Sequence, residues 1–98
     1  MQLARVVGTV VATRKDPRLE GKKLLVVLPL PPEEVETGKA SAPSGKASYL
    51  VAVDTVQAGF GETVIIVTGG SARNAATCKD NPVDTAIIGI VDTVNFGK

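Results

Sequence analysis

The chain has no histidine. That absence removes the commonest general base and the commonest metal ligand together. It has one cysteine, Cys78, so no internal disulfide can form, which fits a reducing cytoplasm. Aromatic residues make up 3% of the chain and are scattered at Tyr49, Phe60 and Phe96. A barrel that holds single-stranded nucleic acid uses aromatic platforms along a basic groove. Three isolated rings and a formal net charge of +1 argue against that role and against an acidic membrane surface. No uncharged apolar run reaches the roughly 18–20 residues that span a bilayer. Arg5 interrupts the N-terminal apolar segment and no cleavable signal pattern follows, so a soluble protein is expected.

What remains is aliphatic. Hydrophobic residues are 44% of the 98 and are mostly valine, isoleucine, leucine and alanine, a β-rich composition. The length predicts one domain over residues 1–98 with a modest core. This is more aliphatic surface than a small monomer needs, and oligomerisation is the simplest way to hide it.

Five strands are expected, over residues 2–14, 22–30, 47–53, 62–68 and 84–94. Gly8 falls inside the first, where a bulge or bend would suit a small barrel. Residues 15–21 and 54–61 read as turns. Residues 31–46, rich in proline, serine, glycine and charge, read as a long flexible loop without apolar anchors. Residues 71–77 could form about two helical turns with Ser71 as N-cap. These elements predict a mostly β fold: a compact, mostly antiparallel five-stranded barrel or sandwich with one short helix. The runs 24–28, 64–67 and 87–91 are apolar almost without interruption. A half-exposed strand alternates, so such runs imply cover on both faces. A barrel covers only its inside, and a neighbouring subunit is the simplest cover for the outside.

No motif announces chemistry. The sequence VTGGSAR has the strand–glycine–serine outline of a phosphate loop but no lysine in register, and Gly59-Phe60-Gly61 stops short of a dinucleotide signature. A strand–turn–helix corner with a capping serine accounts for it. The carboxylates Asp54, Glu62, Asp80, Asp84 and Asp92 show no catalytic spacing. Asp84 and Asp92 flank the last strand as turn or capping residues. Cys78 has no second ligand beside it and no base to activate it. No catalytic residue, cofactor or metal ligand is therefore assigned. Two other readings of the residues stay open. One is an oligonucleotide/oligosaccharide-binding (OB)-like barrel holding single-stranded nucleic acid or an oligosaccharide. The other is an enzyme working through Cys78 or Asp84.

Read together, QLARVVGTVVATRK, LEGKKLLVV, VAVDTVQAGFGETVIIVTGGSAR and NPVDTAIIGIVDTV resemble the bacterial microcompartment vertex family, that of the carboxysome and ethanolamine-utilisation vertex proteins. The resemblance covers nearly the whole chain in order. It implies an OB-like β-barrel assembled as a cyclic homopentamer. Such pentamers close the corners of a cytoplasmic polyhedral shell whose facets are hexameric shell proteins, with no enzymatic activity of their own. The segment 31–46 corresponds to the family's variable loop. The family signature falls on Gly69, Gly70, Ser71, Ala72 and Arg73, expected near the five-fold axis. Arg73 is expected either to face that axis or to pair with Asp84 or Asp92. A closed head-to-tail ring needs two different apolar patches per subunit. Leu25, Val27, Ile65, Ile66, Ile88 and Ile90 are the expected interface residues. An obligate ring should bury roughly 2,000 Å² or more per contact.

Overall fold

The computed structural model describes residues 1–12, 17–19, 21–32, 48–69 and 84–95. Within them lie five strands, β1 (Gln2–Val10), β2 (Lys23–Leu30), β3 (Leu50–Asp54), β4 (Thr63–Thr68) and β5 (Thr85–Ile90), and a short 3-10 turn at Pro17–Leu19. All five expected strands form, each shorter than or offset from its expected span. The limits follow from pairing. The β1–β2 ladder ends at Val10 opposite Leu24, and Val11 beyond it is 90% exposed. β3 starts at Leu50 because its ladder with β2 starts there, opposite Val27. After β5 one more bond, Val91 N–H to the Thr63 carbonyl, is made before the chain bends at Asp92. The helix expected over residues 71–77 and residues 33–46 of the expected loop lie outside the described residues.

The strands close into a barrel in the order β1-β2-β3-β5-β4, with β4 returning to β1. Every pairing is antiparallel except β3 with β5, which is parallel. Two register shifts bend the wall, one in β1 between Val6 and Gly8 and one between β4 and β5 at Ile65/Ile66. The first is the bulge expected at Gly8. Shifts of this kind add local twist, which a barrel of so few strands needs to close.

The interior is filled by small and medium-sized aliphatic side chains. Ala4 and Val6 of β1, Leu25 and Val27 of β2, Ala52 of β3, Val64 and Ile66 of β4, Ile87 of β5 and Ala58 of the β3–β4 turn form one buried cluster. Among the described residues no aromatic side chain belongs to it.

A second cluster lies across the wall from the first. Leu24, Val53, Ala86 and Val67 are successive ladder partners on β2, β3, β5 and β4, and Leu19 of the 3-10 turn packs against them. Val53, Ala86 and Val67 are buried within a single subunit. This corrects part of the expectation drawn from the unbroken apolar runs. At this end of the barrel, cover for the outer face comes from the chain itself.

Candidate functional site

Strand alternation decides which residues a neighbour could touch. Leu25, Val27 and Ile66, expected at a subunit interface, are among the largest fully buried side chains of the single subunit. They fill the barrel and have no surface left to present, so the expectation is corrected for these three. Ile65 lies between Leu3 of β1 and Gly89 of β5 in the ladder and is half-buried. Ile88, which the β4–β5 register skips, is 36% exposed, and Ile90 is 39% exposed. The structure brings Ile65 together with residues that the reading of the sequence left out.

Those residues form two adjacent rows on the outer wall. Leu30, Leu3, Ile65 and Gly89 are successive ladder partners across β2, β1, β4 and β5. Gly89 leaves room for this row: a Cβ there would lie 3.4 Å from Ile65 Cδ1. The neighbouring row runs Leu28, Arg5, Thr63. At the end of the first row, Met1, Gln2, Leu3, Leu30, Pro32 and Ile65 line an open, mostly apolar groove of ≈ 410 Å³. Arg5 is half-buried, and its Nε is closed off from solvent with no hydrogen-bond partner. The signal for these residues is the alternation Leu3, Ala4, Arg5, Val6, in which the buried alanine and valine place leucine and arginine outside.

The turn after β3 is held by side chains of fixed function. Asp54 accepts from the backbone N–H groups of Val56 at 3.0 Å and Ala58 at 2.8 Å. Lys23 Nζ donates to the Ala58 carbonyl at 3.1 Å, and Glu62 Oε1 accepts from Gly59 N–H at 2.6 Å. Thr55 Oγ1 donates to the Ile87 carbonyl at 2.6 Å and so ties the turn to β5. Gly61 N–H donates to the Val6 carbonyl, and Val6 N–H to the Glu62 carbonyl. Asp54 and Glu62 are thereby committed to backbone donors. Asp84 and Asp92 are both exposed. Among the described residues no group of three or more carboxylate, cysteine or histidine side chains comes together as a metal would require.

Of the expected axial corner, Gly69 is described. It adopts φ +64°, a conformation that side chains other than glycine's rarely allow, and its N–H donates to the Asp84 carbonyl at 2.8 Å. This bond fixes where the chain leaves β4 relative to where it enters β5. Gly70, Ser71, Ala72, Arg73, Cys78 and Asp80 lie outside the described residues.

Comparison with known proteins places the chain in a family. The family model for the ethanolamine utilisation protein EutN/carboxysome matches residues 1–92. The chain is 46% identical to the carboxysome shell vertex protein CcmL of Synechococcus elongatus over 97% of this chain and 87% of that one. It is 45% identical to the bacterial microcompartment shell vertex protein PduN of Salmonella typhimurium, over 97% and 99% of the two chains. Among solved structures, the GrpN pentameric microcompartment shell protein of Rhodospirillum rubrum superposes with a TM-score of 0.78 at 45% identity, covering 97% of this chain and 98% of that one. An ethanolamine utilization protein EutN superposes with a TM-score of 0.81 at 40% identity, covering 99% and 92%. With its length matched almost from end to end and its barrel superposed, the chain belongs to the EutN/carboxysome family, whose matched members are microcompartment shell vertex proteins.

Proposed function

We propose that this chain is a structural subunit of a bacterial microcompartment shell, a single vertex domain over residues 1–98 that assembles as a homopentamer in the cytoplasm and closes the shell's corners between hexameric facet proteins. The observation that carries the reading is the end-to-end likeness to a pentameric shell protein at 45% identity. Three features support it. The outer wall offers apolar rows beyond the part covered by Leu19. Asp54 and Glu62 serve turns rather than a reaction. Gly69 starts the corner with a backbone that lacks a side chain, as close approach of five copies requires. In this reading Gly69, Gly70, Ser71, Ala72 and Arg73 surround the five-fold axis, and Ile65, Ile88 and Ile90 face neighbouring subunits. The protein performs no catalysis, takes no cofactor and binds no nucleic acid. Five-stranded barrels also serve as OB-like binding modules, but the likeness runs to shell proteins and supports the vertex role instead.

Native mass spectrometry tests the reading. The expected species is five times the 10.1 kDa subunit. Coexpression with hexameric shell proteins should give closed particles, and leaving this chain out should give particles open at the corners. A soluble, folded monomer at micromolar concentration would overturn the reading.

A further inference from the structure

The seams of the barrel are not held equally. β1 and β2 are paired from Leu3–Leu30 to Val10–Leu24, but among the described residues β3 and β5 are paired only at Val53–Ala86 and Asp54–Ile87. That pairing is parallel, which is slightly less stable per residue than an antiparallel one. β5 is irregular on its other side at the same point, because the β4–β5 register skips Ile88. One residue reinforces this place. Thr55 gives two donors to the Ile87 carbonyl, its N–H at 3.3 Å and its Oγ1 at 2.6 Å. The hydroxyl makes the shorter bond. The turn that follows holds it in position, since Asp54 there accepts from the N–H groups of Val56 and Ala58.

We infer that the β3–β5 seam opens locally, ahead of the rest of the barrel, and that the Thr55 hydroxyl is the latch that keeps it shut. A strand held by few ladder bonds next to an irregular register is where local opening is cheapest. The other attachments of β5 run to β4. Before the strand, the Asp84 carbonyl accepts from Gly69 N–H at 2.8 Å, and after it Val91 N–H donates to the Thr63 carbonyl at 2.8 Å. β5 therefore stays on β4 when β3 parts from it. The strand order β1-β2-β3-β5-β4 then becomes an open sheet with β3 and β5 at its two edges. Such edges carry unpaired backbone groups that invite pairing with another chain. The latch guards against that by holding the barrel closed at its shortest described seam. In the vertex reading β5 also carries Ile88 and Ile90 toward neighbouring subunits. That consequence rests on the pentameric reading, and the latch itself does not.

Amide hydrogen exchange of the full chain, in urea below the unfolding range, tests the inference. In the unsubstituted protein the Thr55 amide should exchange faster than the amides of the β1–β2 ladder. Its rate should be insensitive to urea, as in an opening that exposes little surface. Thr55→Val keeps the shape of the side chain and removes the hydroxyl. It should speed this urea-insensitive exchange at position 55 roughly fivefold or more, after allowance for the intrinsic rate of each residue. Thr55→Ser keeps the hydroxyl and should stay within about twofold of the unsubstituted protein. A hydroxyl that merely supports the whole barrel gives a different result. Thr55→Val would then speed only the urea-dependent exchange, equally in every strand, and the inference would be overturned. An unchanged rate at position 55 would also overturn it. If Thr55→Val fails to fold, the unsubstituted protein decides alone. Exchange of the Thr55 amide with the same urea dependence as the β1–β2 ladder would mean that the seam opens only with the whole barrel. Native mass spectrometry of the same samples reads the pentamer separately, so loss of the vertex reading and loss of the latch are distinct outcomes.

Discussion

Asp54 shows how much a single side chain does here. It closes β3 and uses both carboxylate oxygens to hold the first turn after it, at Val56 and Ala58, while Lys23 holds the carbonyl of the same alanine. Ala58 is then inserted, fully buried, under the barrel. Asp54→Ala should lower stability by about 2–3 kcal/mol, since two charge-assisted bonds are lost. Asp54→Asn keeps one acceptor and should lose about half as much. Urea unfolding at one fixed protein concentration measures both. Two glycines give a sharper contrast. Gly8 lies at the bulge, yet a Cβ there would meet only Val26, at an ordinary 3.7 Å. Gly8→Ala should be neutral or should stabilise by about 0.5 kcal/mol, through reduced freedom of the unfolded chain. Gly61 has open space around it but φ +84°, so Gly61→Ala should destabilise by about 1 kcal/mol from backbone strain alone. Equal melting temperatures for the two alanine variants would contradict this account.

At the scale of the element, the barrel wall separates neighbours in sequence into different environments. Ile65 and Ile66 are adjacent in β4. Ile66 is fully buried in the core, and Ile65 faces outward between Leu3 and Gly89. Ile66→Asp should abolish folding, because a carboxylate placed in the barrel interior has no partner there. Ile66→Ala should cost about 2–5 kcal/mol through lost contacts and the cavity left behind. Ile65→Asp should leave a folded subunit and weaken the pentamer. Circular dichroism reads the fold and native mass spectrometry the assembly. A normal pentamer from Ile65→Asp would remove Ile65 from the interface. The outer cluster behaves as part of the subunit. Leu19→Ser should uncover Val53, Val67 and Ala86 and lower the melting temperature without selectively dissociating the ring.

At the scale of the whole molecule, a five-fold ring constrains volume most strongly at its axis. In the proposed assembly Ala72→Trp brings five indoles into that space. It should prevent pentamer formation, whereas Ser71→Ala should keep the pentamer at a cost of about 1 kcal/mol per subunit if Ser71 is the N-cap expected from the sequence. Arg73→Ala separates the two expected fates of that residue. Unchanged or firmer assembly identifies an axial ring of like charges, and a marked loss identifies a buried pair with Asp84 or Asp92. Sedimentation of the three variants distinguishes these outcomes. An intact pentamer carrying Ala72→Trp would move the corner away from the axis.

The sequence alone determined the elements and their character. Five β-branched runs separated by glycine, proline and charge became the five strands, and a register shift falls at Gly8, where a bulge or bend was expected. The resemblance of four segments to vertex proteins was also legible before any fold was known. What only the tertiary structure decided was the facing of residues inside the apolar runs. A strand that alternates apolar with polar declares its inner face. A run such as Leu24–Leu28 or Val64–Val67 does not, because every position is equally fit for the core. Its phase is set by the ladder partner, and each register shift resets it. For that reason Leu25, Val27 and Ile66 stood among the expected interface residues, with the inward member of the Ile65/Ile66 pair undecided, and all three lie inside. The parallel β3–β5 pairing that closes the barrel, the cover from Leu19 and the unmet Nε of Arg5 were equally hidden. Each depends on strands far apart in the chain meeting in one register, which no local pattern encodes.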